Sequence, residues 1–104
     1  MPEPLSGGPW MRELPRAELH EALEALVVSR FKQALLMGED EDLPLDRSYF
    51  DLGLTSLRLA ELRTALEGLL GVEIDATLLF NRPTVDELVG HLGALLSGSR
   101  EQVR

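Results

Sequence analysis

Residues 51–71 read DLGLTSLRLAELRTALEGLLG, and the architecture follows from them. Leu59, Leu62, Leu66, Leu69 and Leu70 recur at i, i+3, i+7, i+10 and i+11, the spacing of one apolar face of an α-helix. The chain turns at Gly53, Thr55 offers a capping hydroxyl, and Ser56 falls in the first helical turn. Gly71 ends the run. Leu57 lies about 160° round the helix from Leu59, so it points away from the buried stripe into solvent.

Upstream, residues 38–54 form a long connection with an acidic run, Glu39-Asp40-Glu41-Asp42, and five apolar side chains: Leu43, Leu45, Tyr49, Phe50 and Leu52. Loops of this length are uncommon unless they are pinned or functional, and these residues read as pins over a helical core. The acidic run lacks the glycine and terminal glutamate of a calcium loop and contains Pro44, so it reads as a solvated bend. Before it, Arg16 to Met37 has a helical pattern, with Pro15 at its start and Gly38 placed for a left-handed stop. Its apolar residues form two sets, Leu19, Ala22, Leu23, Leu26 and Val27, Phe31, Ala34, Leu35, on faces about 100° apart. This helix therefore wraps around its neighbours or breaks near Leu26. Residues 1–15, punctuated by proline and glycine, read as a leader or linker, with Trp10 and Met11 as the exception, folding back onto the domain as packing anchors.

Downstream, Ala76 to Phe80 is a short helical piece ended by Asn81, Arg82 and Pro83. Thr84 and Glu87 have capping-box spacing. Val85, Leu88, Val89, Leu92, Leu95 and Leu96 then make a further stripe, within which Gly90 and Gly93 each cost about 1 kcal/mol relative to alanine. Residues 98–104 read as a frayed tail, leaving residues 16–97 as the domain. Three main helices and a short one predict an all-α, antiparallel four-helix bundle with a long first loop.

Composition narrows the function. The 104 residues carry a net charge of −8, the wrong sign for a nucleic-acid or anionic-membrane binder. With no cysteine there is no thiolate metal site, redox pair or thiol nucleophile, and with no secretory leader the expected location is the cytoplasm. No metal site and no catalytic residue is expected. The one chemically prominent group is the Ser56 hydroxyl, placed where free N–H groups and the positive end of a helix dipole favour an anion. Position alone also allows Thr55 and Ser56 to be ordinary caps.

The strings Phe50-Asp51-Leu52-Gly53-Leu54-Thr55-Ser56-Leu57, Ala60-Glu61-Leu62-Arg63 and Ala76-Thr77-Leu78-Leu79-Phe80-Asn81-Arg82-Pro83-Thr84 occur in order and with the right gaps to resemble acyl carrier proteins. The likeness spans Leu19 to Leu96 and is strongest to carrier domains of modular polyketide synthases. It implies a four-helix bundle that is not itself an enzyme. Ser56 would receive 4′-phosphopantetheine from coenzyme A through a phosphopantetheinyl transferase, and the arm's thiol would hold acyl groups as thioesters. Expected partners are a ketosynthase, an acyltransferase and other synthase enzymes, with Thr55, Leu57, Arg58, Glu61 and Leu79 as contacts and a monomer as the state.

The family usually has aspartate before the serine; Thr55 keeps the cap and loses the charge. Peptidyl carriers tend to show Gly-Gly-His-Ser here, so the sequence favours acyl over peptidyl cargo. Arg58, Glu61, Arg63 and Glu67 sum to zero, which favours apolar docking through Leu57 over charge steering. Two other readings compete. A serine hydrolase would need His20 or His91, both expected on solvated helix surface, as a base. A helical interaction module would leave Ser56 unmodified.

Overall fold

A computed structural model describes residues 14–101, with side chains to Leu96. Among the described residues four helices follow one another: α1 (Arg16–Ala34), α2 (Ser56–Leu70), α3 (Ala76–Asn81) and α4 (Val85–Glu101). Helix α1 packs against both α4 and α2. Its end lies beside the start of α2, with Arg30, Ala34, Arg58 and Leu62 lining a shallow groove between them. The fold is the expected all-helical bundle. Among the described residues there is no strand, only an isolated antiparallel bridge between Ser48 and Thr84. None of their helices is long and apolar enough to cross a membrane. The fold-back of Trp10 and Met11 lies outside the described residues.

The first helix does not break. Leu19, Leu23, Val27 and Phe31 are its buried residues. Successive members four apart drift by about 40°, so the buried face winds about 120° from Leu19 to Phe31. That drift merges the two apolar sets of the sequence into one wrapping stripe. Helix α2 buries Leu59, Leu62, Leu66 and Leu70, and α4 buries Val85, Leu88, Val89, Leu92 and Leu96, as their periodicity predicts. The backbone of α4 continues helical to Glu101, beyond the fraying expected after Ser97.

Two terminal features differ from expectation. The left-handed stop of α1 falls on Leu36 (φ 61°), two residues before Gly38. The Leu36 N–H donates to Gln33 O (3.2 Å) and the Met37 N–H to Lys32 O (2.8 Å), the paired bonds of a Schellman motif. Those carbonyls are satisfied only if residue 36 takes the left-handed conformation, whatever its side chain. At α4 the capping box is half made. Thr84 Oγ1 accepts from the Glu87 N–H at 3.2 Å. The Glu87 carboxylate turns to Arg82 (3.5 Å) and the Thr84 N–H donates to Arg82 O, so the reciprocal bond has no donor left.

The long loop is pinned as predicted. Leu43, Tyr49 and Leu54 are buried, and Leu45, Phe50 and Leu52 pack partly against the core. Tyr49 N–H donates to Pro83 O (2.8 Å) and Asp86 N–H to Leu45 O (3.0 Å), which tie the loop to the α3–α4 junction. The acidic run from Glu39 to Asp42 is exposed.

Candidate functional site

The Ser56 hydroxyl depends on the loop that delivers it. Phe31, Tyr49 and Phe50 meet in sequence from the core outward, the first pair tilted and the second edge-on, with ring centroids 5.0 and 5.3 Å apart. The Leu54 N–H donates to Tyr49 O (3.0 Å), closing residues 49–54 into a tight turn. Gly53 (φ 110°) supplies the one bend in that turn that a side chain would strain. Leu54 is buried immediately after it, and the chain emerges at Thr55 in extended conformation.

Thr55 then caps α2. Its Oγ1 accepts from the Arg58 N–H at 3.1 Å and its carbonyl from the Leu59 N–H at 2.9 Å. Ser56 is the first helical residue and is exposed. In a first turn the N–H groups of Ser56 and Leu57 have no helical acceptor, and α2 has no acidic residue there to compete for them. A phosphodiester on Ser56 Oγ would therefore sit in a field that favours anions, typically worth about 0.3–1 kcal/mol at an exposed terminus. The residues present fit a phosphate-linked arm.

The expected contact residues separate into two groups. Thr55, Leu57, Arg58 and Glu61 all lie on the exposed surface around Ser56. Leu57 is 71% exposed, as its helical angle predicts. Arg58 Nη1 and Glu61 Oε1 are 3.4 Å apart with both side chains more than half exposed, a pair that contributes little stability and leaves no local net charge.

Leu79 departs from its expected role: it is 3% exposed, and its carbonyl accepts the Tyr49 hydroxyl at 2.6 Å. A short helix with three successive apolar residues, Leu78, Leu79 and Phe80, cannot bury them all on one side. Here Leu79 takes the core, and Phe80, 48% exposed, lies against Phe50 with ring centroids 5.8 Å apart. Phe80 is thus the surface apolar group of α3, which the sequence alone did not single out.

Arg63 and Glu67 are also reassigned by the structure. Arg63 Nε donates to Ile74 O (2.8 Å), and Ile74 N–H donates to Glu67 Oε2 (2.8 Å). The two side chains, themselves 3.5 Å apart, hold the α2–α3 loop so that Ile74 is buried. Their charges serve the fold.

Neither histidine has Ser56 as a hydrogen-bond partner. His20 is exposed and lies 3.5 Å from Glu24, as surface placement predicts. His91 differs: it is half-buried, and its Nε2 has no partner. Among the described residues no cluster of potential ligands could hold a metal ion.

Residues 25–92 match the family described as "Phosphopantetheine attachment site", a match of more than half the chain. Domains of this family bear covalent 4′-phosphopantetheine and carry cargo without catalysing reactions themselves. The chain is 35% identical over 77 residues to one component of the phenolphthiocerol/phthiocerol polyketide synthase of Mycobacterium tuberculosis, covering 74% of this chain and 4% of that protein. It is 39% identical over 70 residues to the pikromycin polyketide synthase component PikAII of Streptomyces venezuelae, covering 67% of this chain and 2% of that protein. With the erythronolide synthase EryA3 of Saccharopolyspora erythraea the identity is 33% over 81 residues, 78% of this chain and 3% of that protein. The chain therefore spans only a small fraction of the length of these relatives. No solved structure gives a significant match. The matched stretch contains the whole of α2 and the exposed serine at its mouth, and the chain belongs to the phosphopantetheine attachment site family, with the character of an acyl carrier domain of the modular polyketide synthase type.

Proposed function

We propose that Ser56 is the residue that bears the arm, and that the domain presents acyl intermediates to the enzymes of polyketide assembly. The observation that carries this reading is the exposure of Ser56 at the first position of α2, capped by Thr55, inside the matched family stretch. In the loading step the Ser56 oxygen forms the new P–O bond at the phosphopantetheine phosphorus of coenzyme A. The pyrophosphate P–O bond breaks, adenosine 3′,5′-bisphosphate leaves, and the hydroxyl proton passes to the transferase.

The bound arm supplies a terminal thiol that holds acyl groups as thioesters. Everything else asked of this chain is presentation. Thr55 and the 49–54 turn hold Ser56 at the helix mouth, and no buried side chain has to move to expose it. Leu57 offers an apolar contact beside it, and the neutral Arg58–Glu61 pair keeps charge steering weak. Thr55 in place of aspartate preserves the cap, which supports loading in spite of the missing charge. The partners we propose are a phosphopantetheinyl transferase, a ketosynthase and an acyltransferase, met by a cytoplasmic monomer.

Intact-mass measurement after incubation with coenzyme A and a broad-specificity transferase tests the assignment. The expected result is a gain of one phosphopantetheine in the native chain and none in Ser56→Ala. A gain that persists in the variant would move the attachment elsewhere. No gain in either would leave a helical interaction module.

A further inference from the structure

Leu36 is the most exposed large apolar side chain among the described residues, at 87%. The α1 stop requires left-handed backbone there (φ 61°), which glycine would supply without strain, and it asks nothing of the side chain. A leucine at this point buries little and strains the chain.

Beside it a groove of about 270 Å³ follows the outer face of α1. Ala25, Val28, Lys32 and Gln33 line it from the helix, and Met37 and Glu39 line it from the chain that leaves the helix. Ala25 to Gln33 spans about 12 Å of axis, roughly two turns. Ala25, Val28 and Lys32 lie about 100–160° round the helix from buried Val27, so this face is turned away from the core. Lys32 Nζ donates to Glu39 O (3.0 Å) and clips the two sides of the groove together. Val28 and Met37, both half-buried, give it apolar substance.

The rim is anionic. Glu39, Asp40, Glu41 and Asp42 are exposed, and among the described residues no cation pairs with their carboxylates. An apolar surface rimmed by polar groups is the form of a protein contact. The charge selects the occupant. A second copy docked patch to patch would set two anionic runs against each other in a chain of net charge −8, and an anionic membrane would be repelled. A basic protein surface is attracted.

We propose that the α1 groove and Leu36 form a docking surface for a basic amphipathic helix of a partner protein. Its apolar side chains lie between Val28, Met37 and Leu36, and its lysines or arginines meet the 39–42 run, in the manner of a helix laid in a groove. Gln33 also lines the groove in which Arg58 stands, so the surface lies round the corner from Arg58, at the end of the domain where Ser56 opens α2. A partner seated there is held beside the attachment serine without covering Leu57. This surface goes beyond the carrier assignment, and its test runs on the unloaded chain, so failure of docking and failure of loading are separate results.

The probe is a synthetic helical peptide of about five turns, with leucines along one face and lysines along the other, titrated into the full chain and followed by nuclear magnetic resonance. The expected result is saturable shifts centred on Ala25, Val28, Leu36 and Met37, weakening as salt rises past roughly 0.1 M. Leu36→Gly is expected to weaken binding about tenfold while its urea midpoint holds or rises, which separates a lost contact from lost folding. Affinity unchanged by Leu36→Gly overturns the proposal. So do shifts that gather on Glu18, Glu21 or Asp86 with the groove silent, since they report charge attraction alone. Equal binding of the peptide with glutamate in place of lysine overturns the basic occupant. Groove shifts that appear on concentrating the chain without peptide, together with a dimer in sedimentation, assign the surface to a second copy and overturn it as well.

Discussion

Tyr49 shows how much can depend on one hydroxyl. Its ring is fully buried, its O–H donates to the Leu79 carbonyl at 2.6 Å, and burial raises its pKa above the ordinary tyrosine range. Below about pH 10 the group is neutral in both folded and unfolded chains, and its contribution is fully present. As pH rises further the unfolded chain loses this proton and the folded chain keeps it. Stability should then fall by about 1.4 kcal/mol per pH unit from this group. Tyr49→Phe should cost about 1–3 kcal/mol at neutral pH, because the Leu79 carbonyl is left buried and unpaired. It should also flatten the alkaline limb, which urea melts between about pH 8 and 11 would measure. Leu57 behaves oppositely. It touches little of its own fold, so Leu57→Glu should leave stability within about 0.5 kcal/mol. The same variant should slow transferase loading, by about tenfold in kcat/KM if this leucine is a central contact worth about 1.4 kcal/mol. Unchanged loading would remove it from the docking surface. Both residues were visible in the sequence, Tyr49 as a loop pin and Leu57 as an outward leucine. The burial of Leu79 was not, because adjacent apolar residues in a one-turn helix compete for the core and only the packed neighbours choose between them.

The helix ends show where element-level rules stop. Thr55 caps α2 through its hydroxyl, and Gly71 (φ 69°) closes that helix with a left-handed turn, both as the residue types predict. At α1 the same logic points to Gly38, yet the turn is made at Leu36, 87% exposed and carrying a strained backbone. The register of the stop is set by the last buried residue, Phe31, and by Met37 and Leu43 returning to the core, so it falls where the chain must turn. Leu36→Gly should therefore stabilise the domain by about 0.5–1 kcal/mol, since strain is relieved and almost no packing is lost. A denaturant midpoint that falls would show that Leu36 makes contacts its exposure does not suggest. The Arg63–Ile74–Glu67 clamp belongs to the same scale. Its members look like surface charges on the α2 wheel, and only the return of the α2–α3 loop gives them a backbone to hold.

As a whole molecule the domain relies on one apolar core to which all four helices and the long loop contribute. Phe31 is fully buried in it and packs at a tilt against Tyr49. Phe31→Ala should cost about 3–5 kcal/mol, a large share of the stability of so small a domain, and a lost or strongly lowered thermal transition would record it. The ion pairs at Arg58 and Arg82 are largely exposed, so screening them with salt should matter far less than that cavity. Helix existence and the inward face of α2 and α4 were determined by the sequence alone, because a 3.6-residue period of leucines needs no partner to be recognised. So was the place of Ser56, because capping chemistry is local to Thr55 and the turn at Gly53. The tertiary structure alone decided that α1 winds its buried face instead of breaking, that Leu36 and not Gly38 makes the stop, and that Leu79 turns inward while Phe80 stays out. The first and last are competitions between neighbouring residues for the same buried space, and the stop is set by where Met37 and Leu43 return to the core; each is settled only when the other helices are in place.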